Sequence, residues 1–544
     1  MANAAIQFNS EPYDASIPLP MGRNSAGEGF LRGFLNHADV DAFHLWNLHD
    51  QDQARLEALL ARLGPPTRPV QWLGRADRSR LSEAGALYVP TPELGHEAWA
   101  RRAYGGTAYS LTGVTHTIAE TYIMDEISAL LLAPIEPWDA LVCTSEAGRK
   151  AVETLLEAVA GYLQDRFGAT RIAPAQLVTI PLGVHASDFR QDPAARAKWR
   201  KTLQIPEDAP VALHIGRFSL GTKMHPGPMG IALQAAAERL GTRVYWILFG
   251  GARKAGGETE FLDAAAAFCP DVQLCKVDDT SSLARDEIVS AADVFLSLSD
   301  NIQETFGLTP LEAMAAGLPS VVSDWDGYRD TVRHEVDGFR IRTLTPRPGL
   351  GTDLAYAHAH RLMSYEAYAG ATALFTAVDV GAAAQALTDL FANPDLRRRM
   401  GAAAQARAHE VFDWRVVIPQ YQALWAELAR RRAAAPAQGP VENPYRLDPF
   451  RMFQPYPSGT ISRISMVTLD RAFADGEVTA LLGRPGVRNG AARLLTEAEA
   501  ETLVARLATG PKSVGALLAE VPAERRAFVE RGITWLAKFG IVRL

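Results

Sequence analysis

Apolar positions fall into short continuous runs separated by amphipathic stretches. In the first third, Val40–Trp46 and Ala140–Thr144 predict strands. Asp50–Leu63 and Glu146–Phe167 carry apolar residues three and four apart and predict helices, and Leu177–Ile180 is a further apolar run before Pro181-Leu182-Gly183. From 191 to 400 the alternation is more regular. Val211–Ile215 stops at Gly216 and Val244–Phe249 at Gly250-Gly251, while Val272–Leu274, Val294–Leu298 and Ser320–Val322 are similar runs. Helical stretches, Gly230–Leu240 and Ser282–Ala291, lie between them. Runs with no polar face predict strands covered on both sides, which is the βαβ pattern of a parallel sheet. Val380–Ala392, Pro394–His409 and the long amphipathic Trp414–Arg432 follow.

Residues 433–460 interrupt this pattern. They are rich in proline and alanine, which forbids a continuous helix or central strand and predicts a linker laid on a surface by Tyr445, Phe450, Phe453 and Tyr456. Helical periodicity resumes in the tail. Thr496-Glu497-Ala498-Glu499 opens Ala500–Leu507, then come Ser513–Leu518, Glu524–Phe539 and a strand-like Ile541–Leu544.

Composition narrows the class. At 544 residues, 48% apolar and 22% charged, the chain has material for several globular domains. Cys143, Cys269 and Cys275 are too few and scattered for a disulfide framework or a four-ligand zinc site. The first residues lack a basic, then apolar, leader pattern, and no run of 18 apolar residues occurs. The expectation is a cytoplasmic protein, with peripheral association with the inner membrane left open. A net charge of −7 disfavours nucleic acid as a partner.

The chemistry concentrates in Asn301–Arg329. After the run Val294–Leu298 a polar loop leads to Thr309-Pro310-Leu311-Glu312, where Thr309 suits a helix N-cap, Pro310 the first helical position and Glu312 the third. Gly317 and Pro319 close the helix. A helix start at the carboxyl edge of a parallel sheet offers free N–H groups to phosphate. Glu304 and Glu312 beside it would repel phosphate unless they grip something else, and sugar hydroxyls are natural partners for carboxylates. A capping role for Glu312 and a solvated Glu304 is the open alternative.

Glu304-Thr305-Phe306-Gly307-Leu308-Thr309-Pro310-Leu311-Glu312-Ala313-Met314-Ala315-Ala316-Gly317-Leu318-Pro319 resembles the E-x7-E motif of the retaining glycosyltransferases of family four, which have the GT-B fold. The resemblance implies that Glu304 contacts the donor sugar, Glu312 the ribose, and the backbone of Phe306, Gly307, Leu308 and Thr309 the diphosphate. His214-Ile215-Gly216-Arg217-Phe218 through Lys223 resembles the family's G-R…K segment, so Arg217 and Lys223 are expected to bind the diphosphate, each worth about 1.5–3 kcal/mol. Met224 stands where the family has glycine. Gly113-Val114-Thr115-His116 resembles the strand end whose histidine faces the donor sugar. Met21–Gly29 takes the place of the N-terminal glycine-rich loop, with Gly22 and Gly27 as candidate phosphate neighbours. Thr144-Ser145-Glu146 resembles the family's strand-to-helix step, and Thr179–Phe189 its interdomain segment.

The implied architecture is α/β of the GT-B type. Residues 1–190 are an N-terminal Rossmann-like acceptor-side domain and 191–410 a Rossmann-like donor domain. Residues 411–432 are a crossover helix packing back on the first domain, 433–460 a linker, and 461–544 a winged-helix-like accessory domain. The implied activity is that of a hexosyltransferase-like enzyme using a UDP- or GDP-type sugar, with retention and without metal or other cofactor. Asp324-Trp325-Asp326 has a metal-binding form but falls where this family has a loop. A non-catalytic sugar-nucleotide sensor and a GT-B epimerase or phosphorylase remain alternatives. The acceptor, whether glycan, lipid or protein, stays open. Residues 440–544 hold 14 Lys/Arg against 11 Asp/Glu without a basic cluster, so the tail is expected to dock an acceptor, a partner protein or a second subunit rather than DNA.

Overall fold

The computed structural model describes residues 2–17, 21–278, 281–474, 476–487 and 494–544. The chain divides into two compact units, 1–443 and 444–544. In the first, strands β1 (Ala5–Gln7), β2 (Phe43–Asn47), β3 (Val70–Gly74), β4 (Ala86–Val89), β5 (Ser110–Val114), β6 (Ala140–Cys143) and β7 (Gln176–Thr179) form a parallel sheet in the order β3-β2-β1-β4-β5-β6-β7. Strands β8 (Val211–Ile215), β9 (Tyr245–Phe249), β10 (Gln273–Val277), β11 (Val294–Ser297), β12 (Ser320–Ser323) and β13 (Gly338–Ile341) form a second, in the order β10-β9-β8-β11-β12-β13. Both are Rossmann-like sheets. In each, the strand order reverses beside the first strand, between β1 and β4 and between β8 and β11, which opens a crevice at the carboxyl ends.

Sequence periodicity located most of the second sheet but passed over β1, β3, β4, β5 and β13, of which the family resemblance marked only the end of β5. These are three to five residues long, and β3 and β13 are only partly buried, so their apolar signal is weak. Met21–Gly29 is corrected from a loop to a helix. Helix α1 (Gly22–His37) buries Ala26, Gly27, Phe30, Leu31 and Phe34 on one face, a periodicity its glycines dilute. Helix α2 (Glu146–Phe167) is capped by the Ser145 hydroxyl, which accepts from Gly148 N–H at 3.0 Å. The helices α3 (Ser282–Ile288), α4 (Leu308–Ala315), α5 (Tyr365–Ala373) and α6 (Trp414–Ala434) complete what positions the site. Ile418, Tyr421 and Trp425 of α6 join Phe30 and Phe34 of α1 in one core.

Helix α5 belongs to a stretch for which the apolar pattern predicted no element. Thr343–Leu344 pairs antiparallel with Ala377–Val378, and the chain between them holds a helix, Thr352–Ala359, and then α5.

In the second unit, Met466–Leu469 is the middle strand of a small antiparallel sheet, between Lys512–Ser513 and Val542–Arg543. Helices Glu497–Ala508, Val514–Leu518 and Arg526–Lys538 enclose a core that includes Val467, Leu503, Leu517 and Ile533. The expected Thr496–Glu499 capping box is formed: the Thr496 hydroxyl accepts from Glu499 N–H at 3.2 Å and the Glu499 carboxylate from Thr496 N–H at 2.7 Å. Tyr445, Phe450, Phe453 and Tyr456 are exposed rather than buried anchors, and Phe453 and Tyr456 pack on each other at 5.1 Å. Among the described residues no helix is long and apolar enough to cross a membrane.

Candidate functional site

The carboxyl ends of β8 and β11 bring the motif residues together. Beyond β8 the chain passes Arg217 and turns through 219–224, where the Ser219 hydroxyl accepts from Thr222 N–H at 3.2 Å and Lys223 N–H donates to the Ser219 carbonyl at 3.0 Å. That turn aims Lys223 at the loop beyond β11, and its ammonium donates to Glu304 Oε2 at 3.0 Å. Burial pulls the Glu304 carboxyl upward, but Lys223 and the N–H groups of Phe306 and Thr305 outweigh it and hold the group below the usual range. Arg217 makes no hydrogen bond or ion pair with any described residue, although it lies in the charge field of Glu304. Burial and the neighbouring Arg253 push its pKa down. A half-buried guanidinium with no hydrogen-bonded partner among the described residues, in the field of the carboxylate that Lys223 holds, is a place for a ligand anion.

The same loop opens α4, but not where the residue preferences put it. The N-cap is Gly307 with φ +86°, so Thr309 is inside the first turn and Pro310 is third. The physical reason is backbone: glycine alone enters the helix from that conformation, and a Cβ there would lie 2.1 Å from the Tyr328 ring. The N–H groups of Leu308 and Thr309, in the first turn, have no acceptor inside the helix. Phe306 is buried and anchors the turn in the core of the second sheet.

Glu312 is also revised. It is buried and paired with Arg285 of α3, whose Nε donates to Glu312 Oε2 at 3.1 Å. The sequence argument left both carboxylates free to grip hydroxyls; in the fold each meets a cation from a distant segment. Arg285 was missed because nothing in its helix marks it.

Across from this lip stands the end of β5. His116 Nε2 donates to the Pro90 carbonyl at 3.2 Å, and burial pushes its pKa down to about 4, so the ring is neutral with Nδ1 as an acceptor. Thr117 Oγ1 lies 3.0 Å from the Tyr365 hydroxyl, a residue the sequence did not flag. The Ser145 hydroxyl donates to Asp326 Oδ1 at 3.3 Å, and Glu146 N–H to Asp330 Oδ2 at 2.6 Å. The two halves of this unit are thus bonded at several points around the crevice. Asp326 lies in a turn at φ +45°, and Asp324 pairs with Arg340 at 3.4 Å. Among the described residues no group of three or more His, Cys, Asp or Glu is placed to hold a metal ion. Gly22 is the first residue of α1 with open space around it. Gly27 packs on the Pro12 carbonyl, where a Cβ would approach to 2.1 Å, so close packing rather than a loop accounts for that glycine.

Residues 195–344 match the family of glycosyl transferases group 1. A D-inositol 3-phosphate glycosyltransferase of Kineococcus radiotolerans is 29% identical over 313 residues, 55% of this chain and 60% of its own. A GDP-mannose-dependent alpha-(1-6)-phosphatidylinositol monomannoside mannosyltransferase of Mycobacterium tuberculosis is 29% identical over 195 residues, 34% of this chain and 47% of its own. The chain thus spans about half the length of the curated relatives it matches. Among solved structures, Anabaena Alr3699/HepE in complex with UDP superimposes with a TM-score of 0.51 at 16% identity, covering 78% of this chain and all of that one. That likeness extends to the fold. With the motif at Glu304–Glu312, these matches make residues 195–344 a glycosyl transferases group 1 domain, of the GT-B, family-four-like kind.

Proposed function

We propose that this chain is a glycosyltransferase that moves a sugar from a nucleoside diphosphate sugar to an acceptor hydroxyl with retention at the anomeric carbon. The observation that carries the reading is Arg217, which has no hydrogen-bonded or ion-paired partner among the described residues and lies in the field of Glu304, the carboxylate that Lys223 holds in the loop opening α4. A diphosphate fits two cations and a helix start, and a carboxylate beside it fits sugar hydroxyls. In this reading Arg217, Lys223 and the N–H groups of Leu308 and Thr309 take the diphosphate, Glu304 the sugar, and Glu312 the ribose once Arg285 yields part of its carboxylate. Gly22 leaves room for a phosphate at the start of α1.

Bond making and breaking then occur on one face of the sugar. The bond from the anomeric carbon to the diphosphate oxygen breaks as that from the acceptor oxygen forms. The acceptor proton passes to the departing phosphate oxygen, whose charge Arg217 and Lys223 stabilise. His116, neutral and tied to Pro90, accepts a sugar hydroxyl at Nδ1. The HepE structure contains UDP and the mycobacterial relative is named for GDP-mannose, so a UDP- or GDP-type donor is the class to test. The domain limits 1–190 and 191–410, with 411–432 as crossover, remain the division we propose. We read residues 461–544 as winged-helix-like, on the strength of three helices around a small antiparallel sheet, and as a docking module for acceptor or partner.

Incubation with UDP-glucose and GDP-mannose without acceptor tests the activity. Slow release of UDP or GDP, abolished in Arg217→Ala, is the expected result. Binding of a sugar nucleotide with no turnover under any acceptor would make the protein a sensor, and transfer with inverted anomeric configuration would remove the retaining mechanism.

A further inference from the structure

The helices between Thr343–Leu344 and Ala377–Val378 are built onto the phosphate loop. A Cβ on Gly221 would lie 2.5 Å from Glu366 Cγ, and one on Gly370 would lie 3.0 Å from the Gly221 Cα, so α5 and the turn carrying Lys223 touch backbone to backbone. The Asn301 side-chain amide donates to the Gly221 carbonyl at 2.9 Å and ties the same turn to the Glu304 loop. Within the inserted stretch, His358 stacks on Tyr368 at 4.0 Å and joins the two helices. This frame brings the first residue of α5, Tyr365, to the crevice. Its hydroxyl is 3.0 Å from Thr117 Oγ1, one residue from His116, and its ring lies in the charge field of both Arg217 and Glu304.

We propose that the Tyr365 hydroxyl is a sugar-positioning group: it bonds a hydroxyl of the donor sugar after the donor displaces it from Thr117, and it thereby helps set which sugar is accepted. The inference rests on the donor-cleft reading above. A phenol suits the task because it donates and accepts at once and adds no charge beside the diphosphate. Burial pushes its pKa up and keeps it neutral. The group is supplied by a segment that follows residues 195–344, the stretch that matches the family.

The experiment is calorimetric titration of wild type, Tyr365→Phe, Thr117→Val and Arg217→Ala with UDP, GDP, UDP-glucose and GDP-mannose, each variant checked for an unchanged melt. Tyr365→Phe keeps the ring and its packing. It is expected to weaken the sugar nucleotide that wild type prefers by about three- to tenfold, to leave the matching bare nucleotide unchanged, and to narrow the preference between the two sugars. Thr117→Val is expected to bind the sugar nucleotide at least as well as wild type, since no hydrogen bond then has to be broken. If Tyr365→Phe binds sugar nucleotides as wild type does, or if Thr117→Val reproduces its loss, the residue is only a cross-crevice tie and the inference fails. If wild type binds none of the four compounds, the donor-cleft reading falls and this inference with it. A weakened Arg217→Ala beside an unaltered Tyr365→Phe rejects this inference alone.

Discussion

Arg217 is the residue on which the site turns, because among the described residues it has no hydrogen-bonded or ion-paired partner while Lys223 is paired with Glu304. Arg217→Ala removes a charge-assisted contact and should weaken UDP or GDP by about 1.5–3 kcal/mol with the melt unchanged; equal affinity in calorimetry would remove it from the diphosphate site. Three buried histidines contribute to the acid response. Burial pushes His116, His185 and His214 down to about 4, and each bonds a backbone carbonyl, of Pro90, Gly29 and Leu296. Their folded values lie below the 6.5 of a free histidine, so between 6.5 and 4 these three rings hold more protons in the unfolded chain. Their contribution to stability is intact above that window and drains as pH falls through it. Burial pushes Asp286 up to about 6 and Asp300 up to about 7, so these carboxyls act in the opposite sense over the same window. The histidine part is read from His185→Gln, whose melting temperature should fall less between pH 7 and 4 than that of wild type, and an identical fall would mean that His185 is not buried neutral.

At the scale of elements, the turn into α4 depends on Gly307. Gly307→Ala meets both the φ of +86° and the Tyr328 ring, so the loop carrying Glu304 has to shift. The expected cost is about 1–3 kcal/mol in stability, with a larger proportional loss of donor hydrolysis. Wild-type hydrolysis in that variant would show that the loop is not held by this turn. Behind the first sheet, Arg101 and Asp139 form a fully buried pair at 2.5 and 2.7 Å, and Asp139 also accepts from the N–H groups of Leu111 and Glu136. Asp139→Ala strands a buried guanidinium and should cost about 3–5 kcal/mol, read as a lowered urea midpoint without direct effect on nucleotide affinity. These elements differ in how far the sequence revealed them. Val294–Leu298 announced β11 by an unbroken apolar run, whereas α1 hid behind Gly22, Gly27, Gly29 and Gly33, small because Pro12 and Trp414 crowd Gly27, Gly29 and Gly33.

For the whole molecule, residues 1–190 and 191–410 are joined by Thr117 to Tyr365, Ser145 to Asp326 and Glu146 to Asp330, and two hydrogen bonds hold the segment before 190 to the crossover. Val184 N–H donates to the Phe412 carbonyl at 2.7 Å and Trp414 N–H to the Val184 carbonyl at 3.1 Å. In the proposed reaction Arg217 and Lys223 supply the charge for the departing phosphate, while Asp324 and Asp326 are engaged with Arg340 and Ser145. Transfer is therefore expected to survive excess chelator. A strict requirement restored by Mg²⁺ or Mn²⁺ would return the Asp324–Asp326 turn to the mechanism. Removal of 458–544 should spare donor hydrolysis while impairing transfer to the native acceptor or changing oligomer size. Normal transfer by an unchanged oligomer would show that the tail has another task.

Local sequence was enough for whatever depends on nearby residues. Apolar runs defined most of the second sheet, and the order Glu304-Thr305-Phe306-Gly307 through Glu312 carried the likeness to a glycosyltransferase motif. Tertiary structure decided which polar groups meet. Lys223 and Glu304 are 81 residues apart, Arg285 and Glu312 are 27, and Thr117 and Tyr365 are 248. Such pairs leave no periodic trace, because side-chain spacing along a strand or helix reports which face is buried and not what lies against it. Only when β8 and β11 pair side by side, and the inserted helices close on the turn of Gly221, do these residues face one crevice.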